Sequence, residues 1–262
     1  MTELRAAALE VLCLTDPIAK AAAARALHEQ QPPVDTARTL HTDTLLPGRP
    51  ARPRLVAPSA LARRSPFTPA GRAALLHAVA HIEFNAINLA LDAVWRFAGL
   101  PEAYYRDWLR VAAEEALHFT LLAEHLHTLG HRYGDFDAHD GLWAICAATA
   151  DDPLARMALV PRTLEARGLD ATPPMQARLA KAGDARAVEI LSVILRDEIG
   201  HVAIGNRWYR WLCAREGVDP LQHDPLVAAR HGAPRLKPPF NLEARRAAGF
   251  SEAEIAALPP GP

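Results

Sequence analysis

Apolar positions along this chain recur at spacings of three and four, and no Val, Ile or Thr run alternates with period two. That pattern predicts amphipathic helices and no strands. Proline then sets where the helices can lie. Of 22 prolines, nine fall in residues 1–70 and eight after 219, leaving Pro101, Pro153, Pro161, Pro173 and Pro174 between. A proline inside a helix loses a hydrogen bond and clashes with the preceding turn. Long helices therefore belong in the windows 70–100, 102–152 and 175–219.

The local signals give bounds. One helix is predicted over 70–98, ended by Gly99, and a second over 101–129, opened by Pro101 and closed by Gly130. A third runs over 153–168, with Asp152 as N-cap, Pro153 at its first position and Gly168 past its end. The fourth covers 184–216, between Gly183 and Gly217. Shorter helices fit 3–12, 17–29, 139–150, 174–182 and 252–258, the last with a capping box of Ser251 and Glu254. Segment 174–182 reads as a broken continuation of the third helix, and Pro161 as a kink one turn before Glu165. Residues 31–70 hold eight prolines and read as an extended wrapping segment, and 218–262 look similar apart from the short terminal helix. The expected organisation is N-terminal helices and a Pro/Arg-rich arm (1–69), an all-α body (70–217) and a C-terminal arm (218–262).

Composition narrows the setting. With 262 residues, 50% hydrophobic and 23% charged, the chain is long enough for a substantial core. Its 29 Lys and Arg against 30 Asp and Glu make no overall case for a polyanionic partner. Cys13, Cys146 and Cys213 form no CxxC pair, which excludes a disulfide scaffold or zinc knot and points to a reducing compartment. Glu3 and Glu10 interrupt the apolar start, so it does not read as a signal peptide. No uninterrupted apolar run approaches membrane-spanning length. The expectation is a cytoplasmic protein with no membrane partner.

The chemistry sits in Glu-x-x-His pairs, which put both side chains on one helix face within reach of one metal ion. With 15 Glu and 12 His, about 0.7 such pairs would arise by chance. The chain has three: Glu115/His118, Glu124/His127 and Glu198/His201. Glu124 lies nine residues from Glu115, half a turn away, so Glu124/His127 reads as a solvated helix end. The other two belong to a repeat. Glu165 follows Glu83 by 82 positions, while Glu198 follows Glu115, and His201 follows His118, by 83. In an antiparallel pair turning near Gly99, Glu83 stands level with Glu115 and His118.

Four Glu and two His suit a pair of divalent ions: carboxylates bridge and chelate, and one imidazole completes each ion. Four charges of −1 also balance two of +2, whereas four inward glutamates without metal would cost several kcal/mol each. An acid precedes each motif, Glu114 before Glu115 and Asp197 before Glu198. Each points toward a neighbouring helix, where it can orient a ligand histidine, Asp197 toward His118 and Glu114 toward His201. His77 and His81 lie off the Glu83 face, and Tyr104 and Tyr105 read as interfacial packing.

Segments AHIEFNAINLALDAVWRF (80–97), RVAAEEALHFTLL (110–122), LVPRTLEARGLDATPPM (159–175) and LRDEIGHVAIGNRWYRW (195–211) resemble the ferritin-like di-iron carboxylate superfamily. More closely, they resemble a bacterial ferritin-like family of unassigned function, related to the tRNA hydroxylase that modifies 2-methylthio-isopentenyladenosine. The resemblance spans 70–217 and extends to PPFNLEARRAAGF (238–250). It implies a ferritin-like four-helix bundle, two antiparallel helix pairs joined by a long crossover, flanked here by irregular Pro-rich arms. The metal ligands it implies map onto Glu83, Glu115, His118, Glu165, Glu198 and His201, holding two iron ions or a manganese–iron pair. It also implies O₂ and an external electron donor as partners, but no single reaction.

The leading expectation is an O₂-activating hydroxylase or oxidase, with Phe84, Ile87, Phe119, Leu122 and Ile194 lining a dry chamber. The alternatives are an iron-handling ferroxidase or store and a non-catalytic metal-binding bundle. Two Pro-rich arms suit a smooth storage-cage subunit poorly. Substrate classes left open are a small molecule and modified tRNA. Residues 36–72 carry Arg38, Arg49, Arg52, Arg54, Arg63, Arg64 and Arg72 against one acid, Asp43, but only one aromatic, Phe67. That arm can bind RNA or pack on an acidic protein surface.

Overall fold

A computed structural model describes residues 3–62 and 64–260. It is all-α: among the described residues the only β pairing is an isolated bridge between Leu55 and Ala138. The chain divides into two compact units, one of Met1–Trp143 with Leu179–Ile190, the other of Ala144–Arg178 with Leu191–Pro262.

The first unit is built on two long helices. Thr68 opens α3 (Pro69–Arg96) by accepting the Gly71 N–H, with Pro69 at the first position where no N–H is needed. Gly99, at φ +75°, turns the chain back into α4 (Glu102–Thr128), and Gly130, at φ +78°, ends that helix. A connection this short makes α3 and α4 antiparallel neighbours, packed along their length. α1 (Leu4–Cys13) lies on α3 and α2 (Pro17–Gln30) on α4. Two buried cations stitch these layers together. Arg5 donates to the carbonyls of Asp35, Arg38 and Trp95, at 3.0, 2.5 and 2.8 Å. Lys20, fully buried, donates to Leu12 O (2.9 Å), Gly48 O (2.7 Å) and Asn88 Oδ1 (2.6 Å). The described residues of 31–68 form no α-helix and only a 3₁₀ turn at Pro58–Ala60, as their prolines predict.

α3 is long and apolar enough to cross a bilayer by length and composition. It is a core helix: 78% of its apolar window is buried inside the protein, and its buried side chains include His77, Glu83, Asn88 and Asp92.

α5 (Gly141–Ala148) precedes the helical run of the second unit. Asp152 caps α6 (Pro153–Leu159), which widens into a π-helical turn, Val160–Glu165, before α7 (Ala166–Lys181). The sequence placed a kink at Pro161 and a helix end at Gly168. The structure replaces the kink with this π turn and continues the helix through Gly168, Pro173 and Pro174. Two contacts explain the difference. Thr163 Oγ1 donates to Ala158 O at 3.1 Å, satisfying a carbonyl five residues back. Pro173 frees the carbonyl of Leu169, four residues earlier, and Asn241 Nδ2 takes it at 3.2 Å. Asn241, 72 residues away in the chain, is invisible to a local reading.

Gly183, at φ +77°, leads into α8 (Ala185–Glu216). Gln176 on α7 donates to Ser192 on α8 at 2.9 Å, as expected of antiparallel neighbours. Where α8 passes the π turn, a Cβ on Gly205 would stand 2.3 Å from Pro161 Cβ, so only glycine fits. The C-terminal segment is more helical than its prolines suggested. α9 (Pro220–Arg230) uses the Asp-Pro opening already seen at Asp16-Pro17 and Asp152-Pro153, and Asn241 caps α10 (Leu242–Ala247). α11 (Glu252–Ala256) carries the expected capping box. Leu169, Val202, Ala244 and Ala248 form a buried cluster of this unit, with Phe250 against it.

Candidate metal centre

The antiparallel pairing of α3 and α4 sets Glu83 opposite the Glu115–His118 turn. His118 Nδ1 lies 3.1 Å from Glu83 Oε2 and 3.2 Å from Glu115 Oε2. Glu115 and His118 are fully buried and Glu83 is 3% exposed. One ligand atom from each of the three lies within 4.8 Å of the others. Two hard carboxylates and an imidazole nitrogen at this spacing are a donor set for a divalent ion, whose charge would neutralise the two glutamates. The residues fit a metal.

Aromatic rings follow two of these ligands in sequence, Phe84 after Glu83 and Phe119 after His118. Phe84 and Phe119 are buried with centroids 5.5 Å apart. The sequence reading missed Tyr133, which follows α4 and stands 5.1 Å from Phe119 and 5.5 Å from Phe84. Ile87 and Leu122 are also fully buried. A lone tyrosine in a loop carries no periodic signal, so only the packed structure reveals it.

His77 and His81 both stack on the Tyr133 ring. His81 Nδ1 is 2.8 Å from the Tyr133 hydroxyl. His77 stacks on the same ring and accepts the Gly134 N–H through Nε2 at 2.9 Å. Burial, with the neighbouring His81 second, lowers the His77 pKa to about 4. Because the folded value lies below the unfolded one, only the unfolded chain takes up this proton between about pH 6.5 and 4. The stability linked to His77 is therefore complete above about pH 6.5 and is lost as pH falls toward 4. Urea unfolding followed across that window should show stability dropping with acidity. His77→Gln should flatten the slope by up to about 1.4 kcal/mol per pH unit, and an unchanged slope would refute the assignment.

The remaining nominated ligands, Glu165, Glu198 and His201, sit in the second unit. Glu198 and His201 are buried on α8, with His201 Nδ1 3.8 Å from Glu198 Oε2. Glu165 ends the π turn and is partly buried. Of the two acids nominated as orienting groups, Glu114 pairs with Arg110 at 2.9 Å and Asp197 with Arg196 at 2.8 Å, and both are only partly exposed. Glu124 and His127 are exposed. Tyr105 donates to Phe97 O at 2.8 Å, a packing role at the α3–α4 turn.

In the Arg-rich arm, Arg49 pairs with Asp140 at 2.6 Å, Arg54 with Asp137 at 2.6 Å and Arg72 with Asp184 at 3.4 Å. Arg64 lies over the Phe136 ring at 5.0 Å. Arg63 lies outside the described residues.

Fold and site define an all-α protein with a buried Glu/His cluster able to hold a metal. The chain belongs to the DUF455 family, described as a protein of unknown function, whose model matches residues 13–256. It is 53% identical over 213 residues to an "Uncharacterized protein" of Haemophilus influenzae, covering 79% of this chain and 74% of that protein. No solved structure matches.

Proposed function

We propose that this protein is a dimetal carboxylate oxidoreductase that uses O₂ and an external electron donor to oxidise an organic substrate, a small molecule or modified tRNA. The observation that carries this reading is the buried His118 nitrogen, held within 3.2 Å of both Glu83 and Glu115. Glu165, Glu198 and His201, from the second half of the repeat, would supply the other three ligands. The near-constant offset of 82 and 83 residues between the halves supports six ligands acting as two sets of three. A pair of iron ions, or manganese with iron, would supply the redox chemistry when bound.

The protein's own part is positioning and exclusion. Glu83, Glu115 and His118 are held in place by α3 and α4 rather than by loops, so the ligand geometry is preorganised. Phe84, Ile87, Phe119, Leu122 and Ile194 are all buried, and their part in this function would be to keep water from the reacting centre. Asp197 and Glu114 orient the ligand histidines.

Stoichiometry separates this function from iron storage. Fe²⁺ added in steps under air should be oxidised quickly only up to about two ions per chain, as metal analysis should also find. Sustained oxidation and O₂ uptake into a soluble core of tens of irons per chain would replace the oxidoreductase reading with storage.

A further inference from the structure

We infer that the second unit holds a binding site for an anionic amphiphile, a ligand with an apolar body and one carboxylate or phosphate head. The site is a cavity of about 540 Å³ among the π turn, α9, α10, α11 and the segment 232–236. That volume falls within the range of small-molecule sites. Its walls are apolar, built from Leu221, Pro225, Phe250, Ile255 and Leu258.

Two buried arginines set the polarity of the interior. The side chains of Arg162 and Arg245 are each 1% exposed, and both residues line the cavity. Arg162 stacks on Tyr209 at 4.1 Å, and Arg245 lies 5.2 Å from Phe240 and 5.3 Å from Phe250. This packing fixes both guanidinium groups and lowers the entropy lost when they bind an anion. Arg162 Nη2 donates to Asp224 at 3.1 Å and to Glu254 at 2.7 Å, but its Nε and Nη1 have no hydrogen-bond partner. A buried cationic donor without an acceptor is costly, and a ligand oxygen brought to the Arg162 edge would relieve that cost.

Charge favours a single negative head. The ion-paired network and rim comprise four cations, Arg162, Arg210, Arg235 and Arg245, against Asp170, Asp224 and Glu254. One positive charge is left over. Across the Pro234–Leu236 segment lies a second cavity of about 580 Å³, lined by Arg167, Arg235 and Lys237, with Asp170 its one acid. A cationic approach to an apolar chamber attracts anions and rejects cations.

The test is calorimetric titration of the full chain with decanoate, decyl phosphate and decanol. At least one anion should bind with Kd of about 1–100 µM, and the tighter of the two identifies the head group. Decanol should bind at least about tenfold more weakly, a difference of about 1.4 kcal/mol. Ala228→Phe, which fills the chamber, should weaken anion binding about tenfold or more, and Arg235→Glu should weaken it and reduce its salt dependence. Thermal melts identify variants that remain folded. Both anions binding more weakly than about 1 mM would overturn the proposal, as would decanol matching them or a folded Ala228→Phe binding like the unmodified chain.

Discussion

Lys20→Met should lower the melting temperature by about 5–15 °C, although no ligand or surface residue is touched. The ammonium presents three protons to three oxygens, and methionine fills similar space while offering none. Leu12 O keeps the Gly48 N–H at 2.9 Å, but Gly48 O and Asn88 Oδ1 lose their Lys20 donor inside the core. Two acceptors stranded in this way cost about 2–5 kcal/mol. The sum is reduced because burial already disfavours the charged amine, bringing its pKa down to about 7. Adding Asn88→Leu removes one stranded acceptor and should recover part of the loss, a coupling read from the double-mutant cycle. If Lys20→Met melts with the parent protein, the three contacts carry no net stability. The effect also reaches the neighbour of Glu83, because Asn88 is one turn beyond the Phe84 carbonyl that its Nδ2 contacts, and Lys20 Nζ lies 5.2 Å from the Phe84 ring.

Glu115→Ala with His118→Ala should abolish the stabilisation that metal confers. A metal that binds only the folded chain, at 100–1,000 times its Kd, adds about 3–4 kcal/mol. The unaltered protein should therefore melt about 5–15 °C higher with added Fe²⁺ or Mn²⁺, while the double variant should show no metal-dependent shift. Elemental analysis provides a separate reading, with metal content falling in the variant. Unchanged metal content would remove Glu115 and His118 from the ligand set, whatever the fate of the activity.

Helix ends were readable where the backbone itself demanded a residue. Gly99, Gly130, Gly183 and Gly217 all adopt positive φ at the places that spacing and composition assigned them. Glu83, Glu115 and His118 were legible for a related reason: charge at a phase that faces inward is rare enough to stand out. What sequence hid was every case where a distant atom compensates a local fault. Pro173 should break a helix, and does not, because Asn241 takes the orphaned carbonyl 72 residues away in the chain. Lys20 sits on an Ala-rich helix like any surface lysine, and only the meeting of α1, α2 and α3 buries it. The same holds for Tyr133 and for Arg162, whose partners Asp224 and Glu254 come from the C-terminal segment that proline content disguised.

The π turn at Val160–Glu165 is a dislocation in the helical ladder, one residue wider than the turns on either side. Sliding such a defect one residue along a helix exchanges one hydrogen bond and turns the residue passed by about 100°, leaving the helix on either side intact. Arg162 and Glu165 both ride on this segment, one at the cavity and the other nominated as a metal ligand, so any slide would re-aim both together. Pro161 seated against the bare backbone of Gly205 is the detent that holds the dislocation at its present position.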